Sequence, residues 1–231
     1  MYIRSLKYTI GLLIVVQSSL LAMDVSPVVE GGVLDLRGYN FKSDGPLELT
    51  GDFEFFWNQM LNPAISSDSG VASYIQVPGS WYQLRKQLPE IERYGFATYR
   101  LVILLPEGVN RLSFRAEKIY SASGFIMNGK AVDYLGYPGV NKYQTLIEYS
   151  KPLITGNFQG PELELLIKVS NFDHRNSGIL GGLVMGLPEQ MSQQRQKELF
   201  RGHFLIGAFL IIGFYFLGLY LIRPEQYRVY F

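Results

Sequence analysis

The C-terminal part of the chain holds one long apolar run, and this run limits what the chain can fold into. Residues 204–222 contain no charged or strongly polar side chain. With a rise of ~1.5 Å per residue, about 19 helical residues span roughly 28 Å, close to the ~30 Å hydrocarbon core of a bilayer. A soluble surface helix needs a polar face, and this run has none. The sequence therefore predicts a transmembrane helix over residues 204–222.

The N-terminus carries a shorter apolar segment with a different layout. Arg4 and Lys7 precede the apolar residues 10–21, and a candidate cleavage point follows Ala22. A short basic region, an apolar stretch and small residues are typical of a secretory signal peptide. An uncleaved anchor is the alternative, but the stretch is short of the ~20 residues that a spanning helix needs. We therefore predict a signal peptide over residues 1–22.

The region between the two apolar segments shows the two-residue period of β-strands. Residues 111–117 alternate polar and apolar without a fault, and residues 162–170 do so with Leu166 as the exception. Asn128-Gly129, between two short runs, predicts a tight hairpin. Glycine and proline turns recur about every 8–12 residues with no helical pattern between them. The sequence predicts an all-β, antiparallel sandwich followed by one membrane helix.

Composition and spacing argue against several kinds of chemistry. The chain has no cysteine, which excludes disulfides and thiolate chemistry, and its two histidines are too few for a typical zinc site. The net charge of +1 gives no electrostatic footprint for nucleic acid. Glu90 with Glu92, and Glu162 with Glu164, fit a solvated face better than the facing carboxylates of a glycosidase. We expect no catalytic residues, no metal and no cofactor.

The densest polar cluster in the predicted sandwich begins at Asn171. Arg175 can form a bidentate contact with a carboxylate, while Asn171 and His174 can hydrogen-bond to hydroxyl groups, so these three are predicted ligand contacts. The alternative is that they close the loop through side-chain-to-backbone bonds. Trp57 and Trp81 are predicted to stack on a sugar ring, with burial in the core as the alternative.

Several short motifs occur in a characteristic order along this region. They are Val77-Pro78-Gly79-Ser80-Trp81, Tyr94-Gly95, Thr98-Tyr99-Arg100, Leu105-Pro106, Leu112-Ser113-Phe114-Arg115, Asn128-Gly129-Lys130 and Ile167-Lys168-Val169-Ser170-Asn171. In this order they resemble the jelly-roll, galactose-binding-like domain of family 2 glycoside hydrolases, the β-galactosidase and β-glucuronidase group. The resemblance implies a non-catalytic sugar-binding sandwich, since the catalytic carboxylates of that family lie in a separate barrel.

A narrower resemblance rests on a second set of residues. They are Phe53-Glu54-Phe55-Phe56-Trp57, the Val77–Trp81 motif, Ser170-Asn171-Phe172-Asp173-His174-Arg175, Gly178 and Gly186. Together with the membrane helix that follows, they are similar to the extracellular domains of bacterial seven-transmembrane receptors with diverse intracellular signalling modules. That family implies a periplasmic jelly roll, seven membrane helices and a cytoplasmic kinase or nucleotide cyclase. The similarity covers residues 31–222 and ends after the first helix.

These observations predict one domain organisation. It consists of a signal peptide (1–22), a periplasmic β-sandwich that senses a ligand (30–190), a juxtamembrane stalk (191–203), a membrane helix (204–222), and a cytoplasmic loop with the start of a second, truncated helix (223–231). The expected location is the bacterial inner membrane, with residues 23–203 in the periplasm. The expected partners are the lipid bilayer, a small ligand such as a carbohydrate, and a missing C-terminal signalling module, but no nucleic acid. The alternative is a self-contained, membrane-anchored carbohydrate-binding accessory protein.

Overall fold

The structure of the protein is a computed structural model that describes residues 26–62, 73–86, 88–148 and 153–222. The predicted signal peptide and the predicted loop and second helix after residue 222 lie outside these residues.

The described part of the chain is built mainly from strands. They are β1 (Val33–Asp35), β2 (Leu47–Leu49), β3 (Gly51–Trp57), β4 (Ser73–Val77), β5 (Gly79–Ser80), β6 (Gly95–Leu104), β7 (Arg111–Ala116), β8 (Ala122–Met127), β9 (Lys130–Leu135), β10 (Leu153–Asn157), β11 (Glu162–Asn171), β12 (Gly178–Ile179) and β13 (Leu183–Gly186). The helical segments are α1 (Phe41–Asp44), α2 (Trp81–Leu84), a 3-10 turn (Lys142–Gln144) and α3 (Pro188–Ile222). The two short α-helices start at capping side chains, Asn40 and Ser80, which accept backbone N–H bonds.

The strands form two packed sheets. The large sheet has the order β4-β3-β6-β11-β8-β9, and β1 pairs in parallel with the part of β6 that lies beyond β3. The small sheet has the order β10-β7-β13-β2, and β5 pairs with β12 separately. All ladders within the described residues except β1 with β6 are antiparallel. The predicted all-β, antiparallel sandwich is confirmed.

The predicted hairpin and the predicted alternation both occur in the fold. Asn128 and Gly129 join β8 to β9 with positive φ angles of 43° and 78°, as a tight turn requires. Alternate residues of the strands point into one core between the sheets. Among them are Ala97, Tyr99, Leu101 and Ile103 of β6, Leu163, Leu165, Ile167 and Val169 of β11, and Leu112, Phe114, Ile154, Leu183 and Met185 of the small sheet.

Leu166, which breaks the alternation in β11, is buried on the outer face of the large sheet. It forms a separate small cluster with three other buried residues, Phe56, Leu61 and Ile126. The chain after β3 crosses this face, because the Leu61 N–H donates to the Thr98 hydroxyl oxygen at 3.1 Å and that hydroxyl donates to the Gln59 carbonyl at 2.7 Å. The exception to the sequence pattern therefore marks a second apolar layer.

The helix α3 is continuous from Pro188 to Ile222, so the predicted stalk and the predicted membrane segment are parts of one helix. Its first turns pack on the small sheet. Met191 is buried, Gln190 Nε2 donates to the Phe41 carbonyl at 2.6 Å, and Arg115 bonds to Glu198 at 2.9 Å. The most apolar window of α3 has a mean hydropathy of 2.4 and none of it is buried against protein. It is the candidate membrane span.

The course of α3 distinguishes the two ends of the sandwich. Met191, near the start of α3, packs against Gly186, which pairs with Ser113 of β7, and Glu198, seven residues later, bonds to Arg115 further along β7. The helix and β7 therefore run in the same direction, and the apolar part of α3 leaves the sandwich where β7 ends. We call this the proximal end. It holds the loops at 88–94, 117–121, 136–148 and 172–177, and the opposite, distal end holds the turns at 105–110, 128–129 and 158–161.

Candidate functional site

The two tryptophans proposed as sugar-stacking residues meet each other inside the proximal end. Trp81 has no exposed surface, and its indole N–H donates to the Tyr99 hydroxyl at 2.7 Å. Its ring packs edge-on against Trp57, with ring centroids 4.9 Å apart. Burial raises the pKa of the Tyr99 hydroxyl well above its ordinary value, which keeps this group neutral. Trp81 is therefore a core residue in this structure, and only the half-buried Trp57 retains an exposed edge.

Two glycines of the sequence motifs make room for this tryptophan pair. Gly95 has a φ angle of +152°, and a Cβ there would lie 2.8 Å from the Trp57 ring. Gly178 has a φ angle of +92°, and a Cβ there would lie 3.0 Å from the Trp81 ring. Any larger residue at either position would strain the backbone, because φ is positive, and its Cβ would clash with the tryptophan ring. These motif glycines thus have a packing role.

The polar loop that begins at Asn171 is closed by its own side chains. The buried Asn171 amide donates to the carbonyls of Arg93 at 3.2 Å and His174 at 2.8 Å, and its oxygen accepts the His174 N–H at 3.0 Å. The Nδ1 atom of His174 lies 2.9 Å from the Asn176 carbonyl oxygen. The His174 ring packs against the Tyr120 ring, with ring centroids 5.0 Å apart. For Asn171 and His174, the contacts seen are those of loop closure.

Arg175 differs from its neighbours in this loop. Its side chain is exposed, and within the described ranges it makes no hydrogen bond or ion pair. Of the five residues proposed as ligand contacts, Arg175 therefore has the hydrogen-bond donors that are most accessible to a ligand. Its role in binding stays a prediction, as does that of the exposed edges of Trp57 and His174.

The surface of the proximal end is lined by exposed tyrosines. Tyr82 lies on α2, Tyr94 on the loop at 88–94, and Tyr137 and Tyr143 on the loop at 136–148. Lys142 forms an ion pair with Asp173, which raises the pKa of the lysine and joins the loop at 136–148 to the loop at 172–177. The high tyrosine content of 16 residues is the only trace of this surface in the sequence, because the residues are far apart along the chain.

The distal end carries an open groove of about 720 Å³, a size that falls within the range of small-ligand sites. Four amide side chains line it, and Lys130 lies at its edge. The amide of Asn128 is bonded to the backbone of β11, which leaves those of Asn110, Asn157 and Gln159. Among the residues that the structure describes, these three amides make no hydrogen bond with protein. Each amide offers donors and an acceptor, which suit hydroxyl groups of a polar ligand. We refer to this groove as the amide groove.

The carboxylates considered for glycoside hydrolysis do not form a facing pair. Glu90 and Glu92 are exposed on a loop, and Glu164 bonds to Arg100 at 2.7 Å, which also bonds to Glu54 at 2.8 Å. Burial acts to lower the pKa of Arg100, but its bonds to both carboxylates outweigh this and raise the pKa. Nor do the described residues contain a cluster of three histidines or carboxylates placed to hold a metal ion.

Comparison with known proteins adds a distant structural likeness. No protein-family model and no curated protein sequence matches the chain. Among solved structures, the sandwich is similar to a GH2 β-galacturonidase from Eisenbergiella tayi bound to galacturonate, with 15% identity over 62% of this chain and 24% of that chain, and a TM-score of 0.43. It is also similar to a β-glucuronidase from Ruminococcus gnavus in complex with an N1-substituted uronic isofagomine, with 15% identity over 62% of this chain and 30% of that chain, and a TM-score of 0.47.

A third similar structure is the β-glucuronidase of Faecalibacterium prausnitzii, with 14% identity over 61% of this chain and 31% of that chain, and a TM-score of 0.44. The chain therefore spans less than a third of each of these enzymes. The class of protein that the structure itself defines is a β-sandwich domain joined to one candidate membrane helix. The antiparallel pairing of the strands defines the sandwich without reference to these enzymes.

Proposed function

We propose that this chain is the ligand-sensing ectodomain and first membrane helix of a bacterial signalling receptor, with the sandwich in the periplasm. The observation that carries the proposal is the junction between the sandwich and α3. A protein that only needs an anchor works with a flexible linker. Here the helix that contains the candidate span is docked on the small sheet along its first three turns.

The junction is held by specific contacts. Arg115 in β7 has an almost fully buried side chain and bridges Glu117 at 3.0 Å and Glu198 of the helix at 2.9 Å. Met191 packs against Gly186, the last residue of β13. A contiguous set of packed elements of this kind can transmit a shift in the sheet to the helix.

The amide groove lies at the far ends of the strands on which α3 packs. Asn110 immediately precedes β7, and Asn157 is the last residue of β10, which pairs with β7. A ligand that bridges these two residues would favour one arrangement of β7 relative to β10. Because α3 rests on both strands, that arrangement also sets the position of the helix. A ligand shifts such an equilibrium only by its difference in affinity for the two states.

A carbohydrate fits the chemistry of the groove. Its hydroxyl groups match the unpaired amides of Asn110, Asn157 and Gln159 and the ammonium group of Lys130. The motif resemblance to a sugar-binding jelly roll supports the same class of ligand. We further propose that the domain binds this ligand without cleaving it, because the carboxylates considered above lie apart or are held by Arg100.

The proposal is tested with the full chain in lipid nanodiscs and a panel of mono- and oligosaccharides, by thermal shift and then by titration. For a sugar that binds, Asn157→Ala should weaken binding about tenfold, the loss of one or two hydrogen bonds. Arg175→Ala is the matched control at the proximal end and should leave affinity unchanged. The reverse result would place the site in the loop at Asn171–Gly178, and a panel without any binding sugar would contradict carbohydrate sensing.

A membrane-anchored, carbohydrate-binding accessory protein is the second candidate, and it is favoured by the presence of one candidate span in the described residues. Hydrogen exchange separates the two. In a receptor, the binding sugar should change amide exchange in the first turns of α3, residues 188–199. In an anchored accessory protein, the change should be confined to the groove.

A further inference from the structure

The loop between β9 and β10 exposes an unusual amount of apolar surface. Its large side chains are exposed to 61% at Tyr137, 48% at Val140, 98% at Tyr143 and 67% at Leu146. Single exposed apolar residues are common on protein surfaces, but four within ten positions form a patch. We call residues 136–148 the apolar loop.

The apolar loop has a defined conformation. Tyr137 and Leu146 exchange two backbone hydrogen bonds, at 2.7 and 3.0 Å. The Ser170 hydroxyl of β11 donates to the Gly139 carbonyl at 2.6 Å, and Asn141 caps the short 3-10 turn. The exposure of the apolar side chains is therefore built into the fold and does not follow from a lack of structure.

The position of the loop relative to α3 brings it near the level at which the candidate span begins. At the proximal end, Glu117 of the loop at 117–121 and Leu153 of β10 line one surface cavity together with Leu199 of the helix. Phe204, the first residue of the apolar run, follows five residues later, about 7.5 Å along the helix axis. The polar layer on each side of a bilayer is itself about 5–8 Å thick. A loop at the proximal end would therefore be placed to reach this layer if α3 spans the bilayer.

We infer that the proximal end rests on the surface of the bilayer, with Tyr143 and its apolar neighbours inserted among the lipid headgroups. Tyrosine suits this layer because its ring is apolar and its hydroxyl is polar. Tyr82 of α2 and Tyr94 of the loop at 88–94 extend the tyrosine surface at the same end. Arg175, exposed and without an ion pair among the described residues, adds positive charge of the kind that phosphate groups attract.

This inference rests on the membrane-spanning part of the proposed function and adds a second contact with the membrane. It also explains why the amide groove is at the distal end, since a ligand from solution reaches that end freely. The two contacts would hold the sandwich in one orientation, with α3 on one side and the apolar loop on the opposite sheet. Rotation of the domain relative to the membrane would then require the loop to leave the lipid.

The chain has no cysteine, so single cysteines can be introduced as unique labelling sites. The full chain is reconstituted in liposomes, and a fluorophore on Tyr143→Cys is quenched by lipids with spin-labelled headgroups. Gln159→Cys at the distal end is the aqueous control, and Ala208→Cys in α3 is the membrane control, read with lipids spin-labelled on their acyl chains. All three positions are outside the core, so the fold should tolerate them.

We expect the label at residue 143 to be quenched at least about threefold more than the label at residue 159, because only the former lies within the polar layer. Equal, low quenching at 143 and 159 with strong quenching at 208 would overturn the headgroup contact and leave the span intact. Weak quenching at 208 would show that α3 does not span, which would remove the basis of both proposals. Quenching at 143 that a soluble sugar abolishes would identify the tyrosines as a ligand surface instead.

Discussion

The two ends of the sandwich are built in different ways. The proximal end is held together from inside, by the Trp81 indole bonded to Tyr99 and by the buried amide of Asn171. The distal end consists of short turns, and its groove is lined by amides with no protein partner among the described residues, such as those of Asn110 and Asn157. The most recognisable sequence motifs lie at the first end and serve packing. Three amides without a protein partner among the described residues lie at the second, where the sequence shows only ordinary turns.

The strongest test of this difference is the removal of the largest buried side chain of the proximal end. Trp81→Ala should lower the free energy of unfolding by about 3–5 kcal/mol, from the loss of burial and the cavity left behind. Thermal and chemical denaturation of the full chain in detergent measure it. Lys130→Ala, at the exposed distal end, should stay within about 0.5 kcal/mol of the parent. A Trp81→Ala protein as stable as the parent would show that the proximal end is not held from inside.

A matched pair of asparagines compares loop closure at the two ends. Asn171→Ala removes a buried amide that bonds to two carbonyls and one N–H, and leaves those groups unpaired. The expected loss is about 2–3 kcal/mol. If Asn171→Ala and Asn128→Ala lowered the free energy of unfolding equally, the difference in burial between the two ends would not affect loop closure.

The distal member of the pair is Asn128, which closes the β8–β9 hairpin in an exposed position. Its side chain accepts the Glu164 N–H at 2.7 Å and donates to the Glu162 carbonyl at 3.3 Å, and its φ angle is 43°. Asn128→Ala should lose about 1–2 kcal/mol, from these bonds and the positive φ. Asn128→Gly should recover part of the loss, because glycine tolerates this conformation. The comparison of the two variants by denaturation separates the backbone contribution.

The strands could be predicted because burial on one face leaves a two-residue period in the sequence. Leu112 and Phe114 of β7 follow that period, and so the sandwich was expected. Leu166 does not follow the period, because the chain after β3 covers the outer face of the sheet there. A contact between segments that are distant in sequence leaves no local pattern from which it could be predicted. The hairpin at Asn128 was predictable since its turn type restricts the residues that can form it.

The candidate site was less accessible to sequence reasoning for the same physical reason. The amide groove joins Asn110 with Asn157, and only the pairing of β7 with β10 brings them together. The orientation of α3 along β7 likewise depends on tertiary contacts such as that of Arg115 with Glu198. The polar cluster at Asn171 was visible in the sequence, yet its burial was not, so loop closure and ligand contact stayed open as alternatives.

The attachment of α3 near the proximal end gives a smaller expected effect. Glu198→Ala removes one of the two carboxylates that bond to the largely buried Arg115, and should lower the stability of the helix junction by about 0.5–1 kcal/mol. Hydrogen exchange should become faster in residues 188–199 while the strands at the distal end stay unchanged. Lys197→Ala, an exposed neighbour, is the control. Faster exchange throughout the sandwich would show that the junction stabilises the whole domain rather than one end.

The smallest effects are expected at the exposed ion pairs, one of which lies at each end. At the proximal end, the ion pair with Asp173 raises the pKa of Lys142. The contribution of this pair to stability is therefore fully present below the pKa of the unfolded lysine, near 10.5, and disappears as the pH rises through the pKa of the folded lysine. At the distal end, hydrogen bonds from Arg37 lower the pKa of Asp35 from 3.8 to about 2. That contribution is present above the unfolded value and disappears only as the pH falls through about 2.

The two pairs therefore differ in their response to alkali. Asp173→Asn and Asp35→Asn should each lower Tm by about 1 °C or less at pH 7, as exposed pairs do, and less in high salt. As the pH rises above 10.5 and through the raised pKa of folded Lys142, the difference between the parent and Asp173→Asn should shrink and then vanish, because Lys142 loses its charge. The difference for Asp35→Asn should persist, because its partner Arg37 has a raised pKa and remains charged. Parallel pH profiles for the two variants would show that the ends do not differ in this respect.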